Sequence, residues 1–368
     1  MLNNYMGILC LNEKDSNIKS LTQNRPLASI PLGGRYRVID FILSNMVNSG
    51  IKNIGVLTHN HSRSLIDHLG SGSPWDLDRK IGGLFFNTSG HSDNFCDIEV
   101  ISNNIEHLHR SKESNVIISS SYMICNINLE DAVKYHEESG SKVTILYKKI
   151  SDGKKSFRDC DVLNIDDSGQ LISVGKNIGV DNNLNISMEM FIMSKETLIS
   201  IVYDCIKKGI WSNIKNYIYS NIDSLRPSTY EFKGYLQCVN SLLSYYNLNM
   251  DLLDLKKSKD LFYSNGLIFT KISDCPPTKY TSDCTVINSL IANGCIIEGS
   301  VENCIIGRRV KISKGATLKN CIIMQDCTIG TNSSLCNVIM DKNVLVENNK
   351  DLKGDIEFPL VIQKRTKF

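Results

Sequence analysis

What this 368-residue chain lacks removes several classes of function. It has no excess of charge: 41 lysines and arginines face 39 acids, a net +2 at neutral pH. No global field draws it to nucleic acid or to an anionic membrane, and neither is expected as a partner. Basic doublets such as Lys207-Lys208 and Lys256-Lys257 read as solvated faces. It has no long apolar run. The stretch Met1 to Asp15 is too short and too interrupted for a signal peptide or a membrane span, which predicts a cytoplasmic protein. It has no C-x-x-C pair, so its thirteen cysteines do not read as a zinc site, and in a reducing compartment they stay thiols. What remains is a chain with 42% hydrophobic residues and length for two or three domains.

The strongest pattern lies in the last third. Ile306, Ile312, Leu318 and Met324 are six apart; a step of five leads to Ile329 and Leu335, and another to Met340 and Val346. That period matches neither a helix nor a single strand. It matches a coil whose turn is built from three short strands, a hexapeptide β-helix. Six cysteines between Cys284 and Cys336 read as small apolar fillers of this coil. Between Asp283 and Val346 there is no histidine, which argues against acyl transfer on the coil itself. Residues 354–362 are expected to cap its open end.

Residues 1–250 alternate short apolar runs with helical patterns. Strands are predicted at 5–11, 53–57, 115–119 and 142–147, and helices at 38–48, 62–69, 129–139 and 239–247. Gly50 just past the 38–48 pattern is a helix stop. The alternation predicts a mostly parallel α/β sheet covered on both faces, with a ligand crevice beyond the carboxyl ends of its strands. The expected organisation is an α/β domain at 1–250, a connecting segment at 251–282 and a β-helix at 283–368.

The block Pro31-Leu-Gly-Gly-Arg-Tyr-Arg-Val-Ile-Asp-Phe-Ile-Leu-Ser-Asn45, continued by Asn48-Ser-Gly-Ile-Lys-Asn-Ile-Gly-Val-Leu-Thr58, closely resembles the bacterial ADP-glucose pyrophosphorylase (glucose-1-phosphate adenylyltransferase) family. The resemblance covers essentially the whole chain. It implies a Rossmann-like nucleotidyltransferase domain followed by a left-handed β-helix. It also implies a reaction in which ATP and glucose 1-phosphate give ADP-glucose, with magnesium held by two aspartates. Magnesium requires oxygen ligands at about 2.0–2.1 Å, and it stabilises charge during attack on the α-phosphorus.

This chain departs from that pattern at the chemistry. The family's glycine-rich phosphate loop is replaced by Asn12-Glu-Lys-Asp-Ser-Asn-Ile-Lys-Ser20, with carboxylates at Glu13 and Asp15 and with Asn17 where the resemblance expects arginine. Cys96-Asp97-Ile98-Glu99 stands for a Gly-Thr-Ala-Asp stretch. Tyr122 stands for the first metal aspartate and Gln237 for the second, while Leu27 replaces a lysine. No magnesium, and no other cofactor, is therefore expected. Lys176 and Ser187 match positions that bind the sugar phosphate, although Glu189 replaces a neighbouring glycine. Tyr122 and Gln237 read as packing of an emptied crevice. Arg35 and Arg37 read equally as an effector or an interface pair. His59-x-His61 has no further ligand at metal spacing.

The resemblance thus points to the D-type, non-catalytic subunit, working in a hetero-tetramer with a catalytic subunit, or as a homo-oligomer when alone. Two alternatives stay open: a weakly active nucleotidyltransferase, and a sugar-phosphate or nucleotide sensor.

Overall fold

The computed structural model describes residues 1–58, 62–88 and 96–368; the His59-x-His61 pair lies outside them. The chain forms two compact units that are not consecutive in sequence. One comprises 1–13, 41–237 and 262–269; the other comprises 14–40, 238–261 and 270–368. The linear division at 250 and 283 does not coincide with this partition, because the stretch 14–40 and the helix Leu242–Asp251 fold with the coil.

The first unit is built on a mixed sheet. Its centre is parallel: Tyr5–Cys10 lies between Asn53–Thr58 and Asn115–Ser119, and Gly83–Thr88 pairs outside Asn53–Thr58. The first of these strands is buried along its length, as expected of a sheet covered on both faces. The long strand Leu184–Ser194 then runs antiparallel to both Asn115–Ser119 and Val143–Ile150. A hairpin of Asp161–Ile165 and Leu171–Lys176 extends that side. The antiparallel arm is not among the strands expected from the sequence, although residues 184–190 alternate apolar and polar side chains; in the fold both faces of Leu184–Ser194 are buried, including the polar Ser187 and Glu189.

Three helices fall where the apolar periodicity puts them, at Val38–Asn48, Arg63–Leu69 and Leu129–Ser139. The polar residues of the first have structural work. Asp40, fully buried, accepts from the Arg37 backbone N–H at 2.9 Å. The Asn45 amide donates to the Cys125 carbonyl at 3.0 Å and accepts from the Ile127 N–H. The helix expected at 239–247 instead runs Leu242–Asp251, because Ser241 and Ser244 form a reciprocal capping box at its start. A further helix, Leu255–Tyr263, occupies the expected connecting segment.

The second unit contains the coil: three five-stranded sheets whose strands are all parallel. It begins at Lys279–Tyr280, a few residues before the expected start. Ile312, Ile329 and Val346 stack in one sheet, Leu318 and Leu335 in the second, Ile306, Ile323 and Met340 in the third. A full turn is therefore seventeen residues, with inward steps of six, six and five. The stacking residue of the third sheet is Ile323, not Met324; the short step falls one position earlier than the sequence pattern suggested.

Corners explain the period. Asn303, Arg309, Asn320, Asp326, Asn332, Asn337, Asn343 and Asn349 all have φ between 51° and 63°. Asparagine and aspartate tolerate this left-handed region better than most residues. The corner amides also stack between turns, Asn320 donating to Asn337 at 3.2 Å. Cys295, Cys304, Cys321 and Cys327 are buried in the core of the coil, as free thiols. At the end of the coil, Leu360–Ile362 forms the last strand of the third sheet.

Within this unit the Gly33-Gly34 block is packed closely. A Cβ on Gly34, at φ +78°, would lie 2.9 Å from the Ile306 carbonyl oxygen. Tyr245 donates to the Pro31 carbonyl at 2.7 Å and Tyr246 to that of Asn320 at 2.8 Å. Arg25 and Asp341, both buried, form an ion pair.

Candidate functional site

The crevice of the first unit opens where sheet theory places it, beyond the carboxyl ends of Tyr5–Cys10 and Asn115–Ser119. Asn12 and Glu13 follow the first of these strands; Ser120, Ser121 and Tyr122 follow the second. Glu13 accepts from the Ser121 backbone N–H at 2.7 Å and from its hydroxyl at 2.6 Å. The residue keeps some exposure but its carboxyl group is enclosed. Burial pushes its pKa up to about 7, although the Ser121 hydrogen bonds pull the other way. Asn12 donates to the Asn213 side chain.

Beside this pair lies a chain of charges. Glu189 is buried, with φ +51°, at a bulge in Leu184–Ser194 where the pairing register shifts. A left-handed backbone costs a side-chain-bearing residue about 1 kcal/mol, which is why the resemblance has glycine here. Its carboxylate accepts from the Tyr122 hydroxyl at 2.7 Å and pairs with Lys215. Lys215 also reaches Asp161 at 3.2 Å, and Asp161 pairs with Lys176 at 2.5 Å. Burial opposes charge on Lys215, but Glu189 and Asp161 raise its pKa above the usual lysine value. Burial likewise opposes charge on Asp161, and Lys215 with Lys176 more than compensates, holding it low. Ser187 is fully buried and shares a 2.9 Å hydrogen bond with Tyr219.

Asp97 completes the wall. One of its oxygens accepts from the Ile214 N–H at 3.2 Å, and burial raises its pKa to about 6. Asp97 also faces the Cys10 thiol, and the Ser120 hydroxyl has no partner among the described residues. Asp97 and Ser120 border a cavity of about 20 Å³, lined also by Cys10, Asn12, Glu189 and Lys215. That is room for about one water molecule.

Of the two expected metal positions, Tyr122 precedes the strand Met123–Cys125 and Gln237 lies on its pairing strand Leu236–Cys238. Lys176 and Ser187 stand on the antiparallel arm of the same unit. Asp15 and Asn17 fall in the second unit, at the short turn Ser16–Ile18. Arg35 and Arg37 also belong to the second unit. The Arg35 guanidinium donates to the Tyr36 hydroxyl at 2.6 Å and lies 4.8 Å from its ring centroid.

Comparison with known proteins matches two stretches of the chain. Residues 16–156 match the nucleotidyl transferase family model, and residues 276–357 match the GlmU-like C-terminal hexapeptide model. The glycogen biosynthesis protein GlgD of Bacillus subtilis is 38% identical over 99% of this chain and 97% of its own length. GlgD of Geobacillus stearothermophilus is 36% identical over 100% and 98%. The chain belongs to the ADP-glucose pyrophosphorylase family, on its GlgD side. A glucose-1-phosphate adenylyltransferase of Mycoplasma mobile is 31% identical over 85% of this chain and 84% of its own. The fold is that of the family: a Rossmann-like nucleotidyltransferase domain followed by a left-handed parallel β-helix.

Magnesium, which the family resemblance implies, does not fit the residues present. Tyr122 is a neutral phenol whose hydroxyl donates to Glu189, and Gln237 is a neutral amide. The nearby carboxylates, Glu189 and Asp161, are both engaged by ammonium groups. Among the described residues no group of three or more histidine, cysteine or acidic side chains is arranged to hold a metal ion. Likewise no described helix is long and apolar enough to cross a membrane.

Sequence reasoning missed Asp161, Lys215 and Tyr219. They come from separate elements with no local motif. One signal did exist: a glutamate at a glycine position of a buried strand needs a buried counter-ion.

Proposed function

We propose that this chain is a regulatory, catalytically silent subunit of glucose-1-phosphate adenylyltransferase, working in ADP-glucose synthesis for glycogen. The observation that carries this reading is the composition of the crevice. Donors that would face phosphates are bound to the chain's own carboxylates, and neutral side chains hold the two metal positions. The subunit acts by binding a catalytic homologue, in a hetero-tetramer, and favouring one of its states. Its setting is the cytoplasm. Arg35 and Arg37 are proposed as effector or interface residues.

The test is ADP-glucose formation from ATP and glucose 1-phosphate with magnesium, using the chain alone and mixed with a catalytic relative. No turnover alone, co-purification, and a raised rate or altered effector response in the mixture are expected. Robust turnover by the chain alone would overturn the reading and favour a weak enzyme. Absence of any effect on the partner would favour a sugar-phosphate sensor, a reading that the half-exposed Lys176 supports.

Restoring the metal ligands alone is expected to fail. Tyr122→Asp with Gln237→Asp leaves Glu13 and Glu189 in the crevice, and it strips Glu189 of its hydroxyl donor. The double variant should show no turnover above wild type in the same assay; appreciable activity would mean the replaced phosphate loop matters little.

A further inference from the structure

A backbone N–H and a hydroxyl converging on one oxygen is an arrangement proteins use to hold oxyanions. Ser121, fully buried, offers such a pair, and both donors go to Glu13. The Tyr122 hydroxyl and the Lys215 ammonium converge in the same way on Glu189. We propose that this crevice is an oxyanion site occupied by the chain itself, Glu13 and Glu189 taking donors that the phosphoryl group of a ligand would otherwise take. The inference rests on the reading of the crevice as catalytically silent, and extends it: the site is filled rather than dismantled, and vacating it exposes a phosphate-binding surface.

Two independent features support self-occupancy. The first is backbone geometry. Glu189 holds a left-handed conformation that disfavours a side chain, at a bulge that turns the strand locally. Strain of this kind persists only where its surroundings hold it in place, and here its carboxylate has two partners. The second is charge. Glu189 and Asp161 face Lys215 and Lys176, so this part of the crevice carries no surplus positive charge to attract an anion. Removing Glu189 takes one carboxylate from beside Lys215 and Lys176, which then face Asp161 with Asp97 nearby, and takes away one acceptor of the Tyr122 hydroxyl. Removing Glu13 frees the two donors of Ser121.

The experiment is calorimetric titration of the full chain at pH 8 with inorganic pyrophosphate, glucose 1-phosphate and, as an ionic control, sulfate. Wild type is compared with Glu13→Ala, Glu189→Gly and the double variant. Wild type should show no saturable binding at millimolar ligand. The double variant should bind pyrophosphate or glucose 1-phosphate at least tenfold more tightly than wild type, and more tightly than sulfate. Wild-type binding as tight as the variant's, no gain in any variant, or an equal gain for sulfate would each overturn the inference. If the double variant does not fold, Glu189→Gly carries the test, since glycine suits that backbone, and the tenfold gain is still required. Stimulation of a catalytic partner by wild type is a separate measurement. Its loss would sink the regulatory reading, while the binding arms would still decide whether the site is self-occupied.

Discussion

Asp341→Ala is expected to destabilise the coil-bearing unit by about 3–5 kcal/mol, the usual cost of stranding one member of a buried ion pair. The Asp341 and Arg25 side chains are 2% and 5% exposed. The pair joins the stretch 14–40 to the coil across 316 positions of sequence, inside one compact unit. Without the carboxylate, the Arg25 guanidinium stays enclosed, close to Lys342 and with less to offset its charge. Lys342 responds in the same direction, because Asp341 is the one acid among the groups that hold its pKa up. Replacing both partners with apolar residues, Arg25→Met with Asp341→Leu, should recover most of the loss, since neither charge then needs solvation. Urea denaturation followed by circular dichroism decides the matter. A single-variant midpoint equal to wild type, or a double variant as unstable as the single, would show that the pair contributes little.

The contrast between the two units explains what the sequence could and could not reveal. The coil was legible because one inward residue repeats at nearly constant spacing, and a stacked strand of two or three residues leaves no freedom in register. Its error, Met324 for Ile323, arose because both are aliphatic and both are buried; only the corner asparagines fix where the short step falls. The helix Val38–Asn48 was legible because its stop and its apolar face agree. The charged chain in the crevice was not. Asp161, Glu189 and Lys215 lie on a hairpin, a bulged strand and a helix, and only tertiary structure brings them together. Resemblance pointed to vacancies at Tyr122 and Gln237, and to Lys176 and Ser187 as remnants of a pocket. The structure pairs Tyr122 with Glu189, Lys176 with Asp161 and Ser187 with Tyr219. An alignment records which group is missing; it does not record which neighbour has taken the released donor.

Glu13→Gln is expected to change the pH dependence of stability of the α/β unit, with the largest gain above neutral pH. The folded carboxyl titrates at about 7 against an unfolded value of 4.5. Below pH 4.5 both states are protonated, and the full hydrogen-bonded stability of the acid is present. Between 4.5 and 7 the unfolded state releases a proton that the folded state keeps, so stability falls as pH rises. Above 7 both are ionised, and the folded state carries the cost of a buried carboxylate. That loss is at most about 3 kcal/mol at 1.36 kcal/mol per unit of pKa, and partial exposure of the residue makes it smaller. Glutamine cannot ionise, and its amide oxygen can still accept from Ser121. The variant should therefore match wild type near pH 4.5, pull ahead through neutrality, and keep a constant advantage above about pH 8. Asp97, raised to about 6 by burial, slopes the same way and is left intact, so a residual decline between about pH 4 and 6 should persist in the variant. Both tryptophans, Trp75 and Trp211, lie in this unit, so their fluorescence during urea unfolding reports on it directly. Parallel pH profiles for wild type and variant would mean that the Glu13 carboxyl is solvated after all, and with it would go the picture of a crevice closed around its own acids.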